Sequence, residues 1–456
     1  MSDWLEGCLA DSIASLDAGV SVNAEDRPHG AGEIGVLKTS AVSGGTFHPE
    51  QNKTVVERER HLVAEPVQGD SILVSRMNTP ALVGESCYVR DPQPSLFLPD
   101  RLWQLKPKNR SIVDMRWLSF TLQSAACRRH VEIHATGTSG SMKNLPKSKL
   151  LALPVRYPAP EEQVRIAQIL DTLDTAIHDT ESIIAKLKAV KQGLLHDLLT
   201  RGIDANGELR LAQAEVPHLY KESPLGWIPK AWNASVVDIE FTVDSGITLG
   251  AHRAPRSHPR KYLRVANVHR ARLVLDDIAE LEASDSETAV RALEPGDLLV
   301  VEGHASTDEI GRCAIADESV RGMLFQNHLF RLRPKRLLPS YALLWMNSAF
   351  VRAYWRCEAA TSSGLNTINR SKLRRLRVAV PTPEEQEMIA GREACLASRI
   401  KEETRVLGKL KTEKSGLMDD LLTGRVRVTP LLESTAPLMH QPTAPIVQQP
   451  AAQTRG

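Results

Sequence analysis

No CxxC pair links the six cysteines at 8, 87, 127, 313, 357 and 395. That absence argues against a zinc ribbon and a disulfide framework, and for a reduced, cytoplasmic protein. No apolar run approaches the roughly 18–20 residues needed to span a bilayer. The opening MSDWLEGCLADS lacks a basic start followed by an apolar core, so no secretory signal is expected. Catalytic signatures are missing too. The only Gly-Lys pair, Gly408-Lys409, lies in a helical stretch and not in a phosphate-cradling loop. No Asn-Pro-Pro-Tyr or Asp-Pro-Pro-Tyr of an amino-methyltransferase occurs, and Pro99-Asp100 lacks the downstream acid-x-Lys of a metal-dependent nuclease. GAGEIG at 30–35 has dinucleotide-fingerprint spacing but neither the strand before nor the helix after it, and reads as a loop entering a strand at Ile34–Lys38. His130 and His134 stand four apart near Cys127 without a clear fourth ligand, and read as surface histidines. These absences predict a chain with no catalytic centre, no metal site and no cofactor of its own.

What is present is ordinary in amount and unusual in arrangement. The 456 residues, 42% hydrophobic and 25% charged, suffice for two to four domains. The net charge is only +2. Its distribution is uneven. Between Arg321 and Arg377 stand twelve Lys/Arg and one acid, Glu358, and between Leu98 and Arg156 eleven against Asp100, Asp114 and Glu132. Acids gather elsewhere, as in LDDIAELEASDSE at 275–287. Two separate basic regions suggest two anion-binding surfaces.

The chain is also written twice. PAPEEQ at 158 returns as PTPEEQ at 381, an offset of 223. VQGDSILVSRMNTPALVG (67–84) parallels EPGDLLVVEGHASTDEIG (294–311), and LFLPDRLWQLKPK (96–108) parallels LFQNHLFRLRPKR (324–336). GTSGSMKNLPKSKLLALPV (137–155) parallels TSSGLNTINRSKLRRLRVAV (361–380), aligned at Gly140 and Gly364, and KQGLLHDLLT parallels EKSGLMDDLLT. The order is the same in both copies, so two tandem halves meet near 204–230.

Each half opens with short β-type runs and helical patches, an α+β pattern. A long helix follows. Ile166, Leu170, Leu173, Ile177, Thr180, Ile184, Leu187, Lys191, Leu194 and Leu198 alternate in steps of four and three, a coiled-coil seam with two polar interruptions. The second seam runs Ile389, Glu393, Leu396, Ile400, Glu403, Leu407, Leu410, Lys414, Leu417 and Leu421, with more polar breaks and with Gly391 and Gly408, and is expected to be the weaker helix. At its start Thr382 reads as a cap, Pro383 as the first helical residue, and Glu384 and Glu385 as acids facing the positive helix end, with Thr-x-x-Glu as a capping box. The first copy has Ala159 at the cap. Two such helices of about 40 residues, roughly 60 Å long, bury their seams best against each other. The expected fold class is α+β: two tandem α+β domains separated by two long helices packed as an antiparallel coiled coil, a strut between the domains. The expected divisions are 1–157 and 231–380 for the domains, 158–203 and 381–424 for the helices, 204–230 for a linker, and 429–456 for a disordered tail rich in Pro, Gln and Ala.

This pattern resembles the specificity subunit of type I restriction–modification enzymes. The resemblance rests on LPVRYPAPEEQVRIAQILDTLDTAI, GLLHDLLTRG, SPLGWIPKAW, GDSILVSRMNTPALVG and TSSGLNTINRSKLRRLRVAVPTPEEQ, and spans residues 1 to about 425. It implies that each α+β domain is a target recognition domain reading one half of a split double-stranded DNA sequence. It implies that the helices set the spacing and dock two methyltransferase (modification) subunits, which restriction/translocase subunits join. The subunit itself is then non-catalytic. S-adenosylmethionine, ATP and Mg would belong to those partners.

The residues support such a reading. Lys and Arg on phosphates give position and salt-dependent affinity, and base-edge contacts give sequence. Candidate phosphate contacts are Lys143, Lys147, Arg264, Lys372, Arg374 and Arg375. Candidate base readers follow the Gly-Asp strands: Arg76 and Asn78 in the first half, His304 and Ser306 in the second. Arg suits guanine and Asn suits adenine in the major groove. The alternative class is a coiled-coil scaffold whose α+β domains bind proteins and show no preference among duplexes.

Overall fold

The structure is a computed structural model. It describes residues 4–137, 142–306, 308–358 and 366–430. The tail from 431, Gly140 and Gly364 lie outside the described residues. The chain divides into two compact units: residues 1–180 with 406–456, and residues 181–405. Both boundaries fall inside a long helix. Those helices, Pro160–Thr200 and Pro383–Leu422, are continuous over 41 and 40 residues. Among the described residues no helix is long and apolar enough to cross a membrane.

The first unit is built on an antiparallel four-stranded sheet in the order Ser86–Val89, Ser71–Ser75, Leu102–Pro107, Ile13–Ala18. Its central strand SILVS is buried throughout, as a strand covered on both faces must be. A second, five-stranded sheet includes the parallel pair Gln93–Phe97 and Gly35–Leu37. GAGEIG thus leads into a strand, with Arg27 held by Glu33, whose carboxyl that pairing draws down to about 2. Helices Met115–Gln123 and Ala125–His134 cover the main sheet, each capped by a side chain, Asp114 and Ser124.

The second unit repeats the plan. Its four-stranded sheet runs Cys313–Ile315, Leu298–Val301, Leu329–Pro334, Phe241–Ser245, the same order with the same antiparallel partners. Helices Pro339–Met346 and Ala349–Glu358 stand where the first unit has its pair. The 204–230 stretch carries a hairpin, Tyr220–Ser223 with Gly226–Pro229.

In both units the beginning of one long helix lies beside the end of the other, so they run antiparallel there. In the first unit Ile166, Ala167 and Leu170 share a core with Leu421 and Leu422; in the second Leu198 and Leu199 share one with Ile389. The seam's polar interruptions are used. Lys191 meets Glu393 at 2.6 Å, and Lys414 pairs with Asp174 while facing the Phe120 ring. Gly391 and Gly408 do not interrupt the second helix. A Cβ at either would meet open space.

Glu384 and Glu385 do stand in the first helical turn, but the reading of Glu385 as half of a capping box is corrected. Thr382 does cap, accepting from the Glu385 N–H at 3.3 Å. The Glu385 carboxylate does not complete a capping box. It is 3% exposed and accepts from the Trp232 indole (2.9 Å), the Ile203 N–H (2.7 Å) and both terminal nitrogens of Arg210. Glu162 does the same in the first unit, accepting from the Trp4 indole at 3.1 Å and from Arg427 at 2.7 and 2.8 Å. The following glutamines are buried as well. Gln163 accepts from the Asp114 N–H and donates to Ile112 and Pro158 carbonyls, and Gln386 accepts from the Leu338 N–H and donates to Pro381. A buried carboxylate persists only with such donors around it. The doubled Glu-Glu-Gln phrase therefore fastens a helix start to three separate segments: the tryptophan opening its domain, the covering helix, and the stretch after the opposite long helix.

Candidate nucleic-acid interface

The candidate readers stand where the central strand leaves the sheet. Beyond Ser75 the chain forms the short strand Met77–Asn78, which pairs with Lys143–Asn144 just before the helix Lys147–Leu151. Beyond Val301 the second unit forms Gly303–His304, which pairs with Asn366–Thr367 just before the helix Arg370–Arg375. This duplicated strand pair gathers Arg76, Asn78, Lys143 and Lys147 in one unit, and His304, Ser306 and Lys372 in the other. Sequence alone offered no sign of the pairing, since the partners lie more than sixty residues apart.

Individual placements differ. Arg76 is half-buried, its Nε donating to Asn144 Oδ1 at 3.3 Å and its guanidinium 5.7 Å from the Trp103 ring centroid. Asn78 donates to Ser75 Oγ at 3.2 Å and accepts from the Thr79 N–H. Lys143 donates to the Gly137 carbonyl and Lys147 to the Leu16 carbonyl, neither of which removes the positive charge. His304 Nδ1 accepts from the Ser306 N–H at 3.0 Å, and Ser306 is exposed. Arg264 is held by Asp277 at 2.6 Å, away from the strand pair. Lys372 lies against Glu358, Arg374 is 3.2 Å from Asp238, and exposed Arg375 donates to the Ser371 carbonyl.

The basic regions are less free than their composition suggests. In 321–377, Arg321, Arg331, Arg333, Arg336 and Arg356 pair with Glu294, Asp244, Asp297, Glu240 and Asp308, acids distant in sequence. Lys335, Arg352, Arg370, Arg375 and Arg377 have no carboxylate partner among the described residues. In 98–156 Lys106, Arg110, Arg116 and Arg156 are ion-paired. Arg101, Lys108, Arg128, Arg129, Lys143, Lys147 and Lys149 are not, among the described residues. The first unit thus keeps more of its excess charge available.

The remaining motif is plain. His130 meets the Lys149 carbonyl and His134 the His130 carbonyl, with rings stacked 4.3 Å apart. Cys127 is buried, and desolvation pushes its thiol up to about 12. No group of three or more potential ligands that could hold a metal occurs among the described residues.

The architecture defines a class: a duplicated α+β protein with each copy followed by a long helix, the helices antiparallel. Residues 1–189 match the family model described as Type I restriction modification DNA specificity domain. The chain is 22% identical over 365 residues to the type I restriction enzyme StySPI specificity subunit of Salmonella potsdam, covering 78% of this chain and 74% of that one. It is 25% identical over 195 residues to the EcoEI specificity subunit of Escherichia coli, covering 42% of this chain and 32% of that one. It is 26% identical over 268 residues to the EcoKI specificity subunit of Escherichia coli strain K12, covering 57% and 54%. The matches thus span from about a third to three quarters of these relatives' lengths. In fold it is similar to the S subunit of a type I restriction–modification system from M. genitalium (TM-score 0.51, 14% identity, 92% of this chain and 96% of that one). It is similar also to a chain from a structure on complex assembly and conformational transition of the type I R-M system (TM-score 0.54, 14% identity, 92% and 97%). Residues 1–189 are thus similar to a type I restriction–modification DNA specificity domain, and the chain as a whole is similar to specificity subunits of that kind.

Proposed function

We propose that the chain reads a bipartite duplex DNA target, one short base cluster per α+β unit, and directs methyltransferase and endonuclease subunits to it. The observation that carries this reading is the strand pair at the end of each central strand, built twice at equivalent positions and flanked by basic residues. In this reading Lys143, Lys147 and Arg375 meet phosphates, Asn78, His304 and Ser306 meet base edges, and Arg76 does so on leaving Asn144. Arg264, Lys372 and Arg374 would have to exchange carboxylates for phosphates. The helices set the unread gap and offer a docking surface to two modification subunits, which restriction/translocase subunits join. In this reading the chain is non-catalytic and acts in the cytoplasm, with S-adenosylmethionine, ATP and Mg bound by partners.

The test is binding of duplexes carrying two half-sites, found by mapping N6-methyladenine in host DNA. Affinity should fall steeply with salt and require both halves. Inserting one heptad into 166–198 and its counterpart should lengthen the tolerated gap. A protein-binding scaffold would show no preference among duplexes, and an unchanged gap would refute the spacer role.

A further inference from the structure

The two units differ at one equivalent place in a way that points to a ligand. In the first unit the hairpin Val42–Phe47 turns through Gly44-Gly45; in the second, Val268–Leu273 turns through Arg270-Ala271 in the same register. The matching register and the positive φ of both Gly45 and Ala271 set Gly44, itself at φ 59°, in the place of Arg270. Gly84 and Gly311 precede equivalent strands, also at positive φ, so Glu85 corresponds to Arg312. Gln123 ends one helix and Asn347 caps the end of the equivalent one.

In the second unit the turn arginine fills the space. Arg270 donates to Asn347 Oδ1 at 3.3 Å and to the Asp308 carbonyl at 2.5 Å. In the first unit glycine leaves that space open, as a cleft of about 210 Å³ lined by Gly44, Glu85, Ser86, Leu122, Gln123 and Arg128, among others. Two acceptors there are buried without a hydrogen-bond partner, Glu85 Oε2 and Ser86 Oγ, and Ser86 is 2% exposed. Arg128 also borders the cleft; its terminal nitrogens donate to the Val83 and Ala81 carbonyls, and it forms no ion pair with Glu85 among the described residues. Burial pushes the Glu85 carboxyl up, against the Gly44 N–H that donates to it and the charge of Arg128, so a cation placed beside its unpartnered oxygen would offset the cost of burying it.

We propose that this cleft binds a guanidinium group from outside the unit, doing there what Arg270 does in the other copy. The group is either an arginine side chain of a docked protein chain or a free alkylguanidine. A carboxylate with a neighbouring hydroxyl and amide carbonyl matches the planar, multi-donor fork. The cleft needs no DNA, so the outcome below is independent of the DNA-reading proposal.

The experiment is saturation-transfer NMR on the full chain with ethylguanidinium, and with ethylurea as its neutral isostere. Saturable binding of ethylguanidinium is expected, at least tenfold tighter than ethylurea. Glu85→Gln should weaken it about tenfold. Gly44→Arg, which installs the other unit's side chain, should abolish it; circular dichroism melting confirms that both variants fold. Competition by an arginine flanked with acetyl and methylamide groups identifies a protein arginine as the source, and its failure to compete identifies a free guanidine. Absence of saturable binding, equal affinity for ethylurea, or folded variants that bind like the parent chain would each overturn the assignment.

Discussion

Glu162 and Glu385 each hold a tryptophan indole and an arginine from the stretch after the opposite long helix, yet they are not equally enclosed. Arg210, the partner of Glu385, is 15% exposed and Arg427, the partner of Glu162, 33%. Glu385 also takes the Ile203 N–H, a contact that the hairpin-bearing 204–230 segment makes possible by folding back on the helix start. Water reaches the first clamp more easily and screens it more. The lesson is that a duplicated sequence phrase need not carry duplicated energy, because its surroundings set the dielectric.

That contrast can be broken by substitution. Glu385→Ala should destabilise the second unit by about 3–5 kcal/mol, since it strands a buried guanidinium and an indole N–H. Glu162→Ala should cost the first unit less, about 2–3 kcal/mol. Urea unfolding with unit-specific probes checks both, and equal losses would refute the difference in enclosure. A smaller effect of opposite sign is expected in the long helix that begins at Glu385's clamp. Gly391→Ala and Gly408→Ala should each stabilise by about 1 kcal/mol, because an added Cβ meets open space and the glycine's backbone freedom is removed. Thermal melting reads this directly.

The same contrast between units extends to charge. Lys143→Ala in the first unit should lower the slope of log affinity against log salt by about 1. Lys372→Ala in the second should lower it by less, because Glu358 already competes for that ammonium. Filter binding across a salt series decides between them, and identical slopes would sink the ranking.

Much of the architecture was legible beforehand. The offsets near 223–227 announced two copies, and the four-three spacing from Ile166 and from Ile389 announced the helices, because helical periodicity is a local property. Lys191 and Glu393 were visible as interruptions but not as partners, since pairing joins residues two hundred positions apart. Glu385 was misread as a capping-box partner, and Glu162 went unnoticed, for the same reason: nothing beside them in sequence names Trp4, Arg427, Trp232 or Arg210 as their donors. The basic run from 321 to 377 looked free because the acids that meet Arg331, Arg333 and Arg336 lie upstream.

The sequence by itself determined the duplication, the α+β-then-helix order and the two helical seams, because periodicity and repetition are written in neighbouring residues. Only the tertiary structure decided which charges are spent, which turn arginine is plugged in and which glycine turn is left open. Those outcomes depend on burial and on distance between remote segments, and no local pattern encodes either.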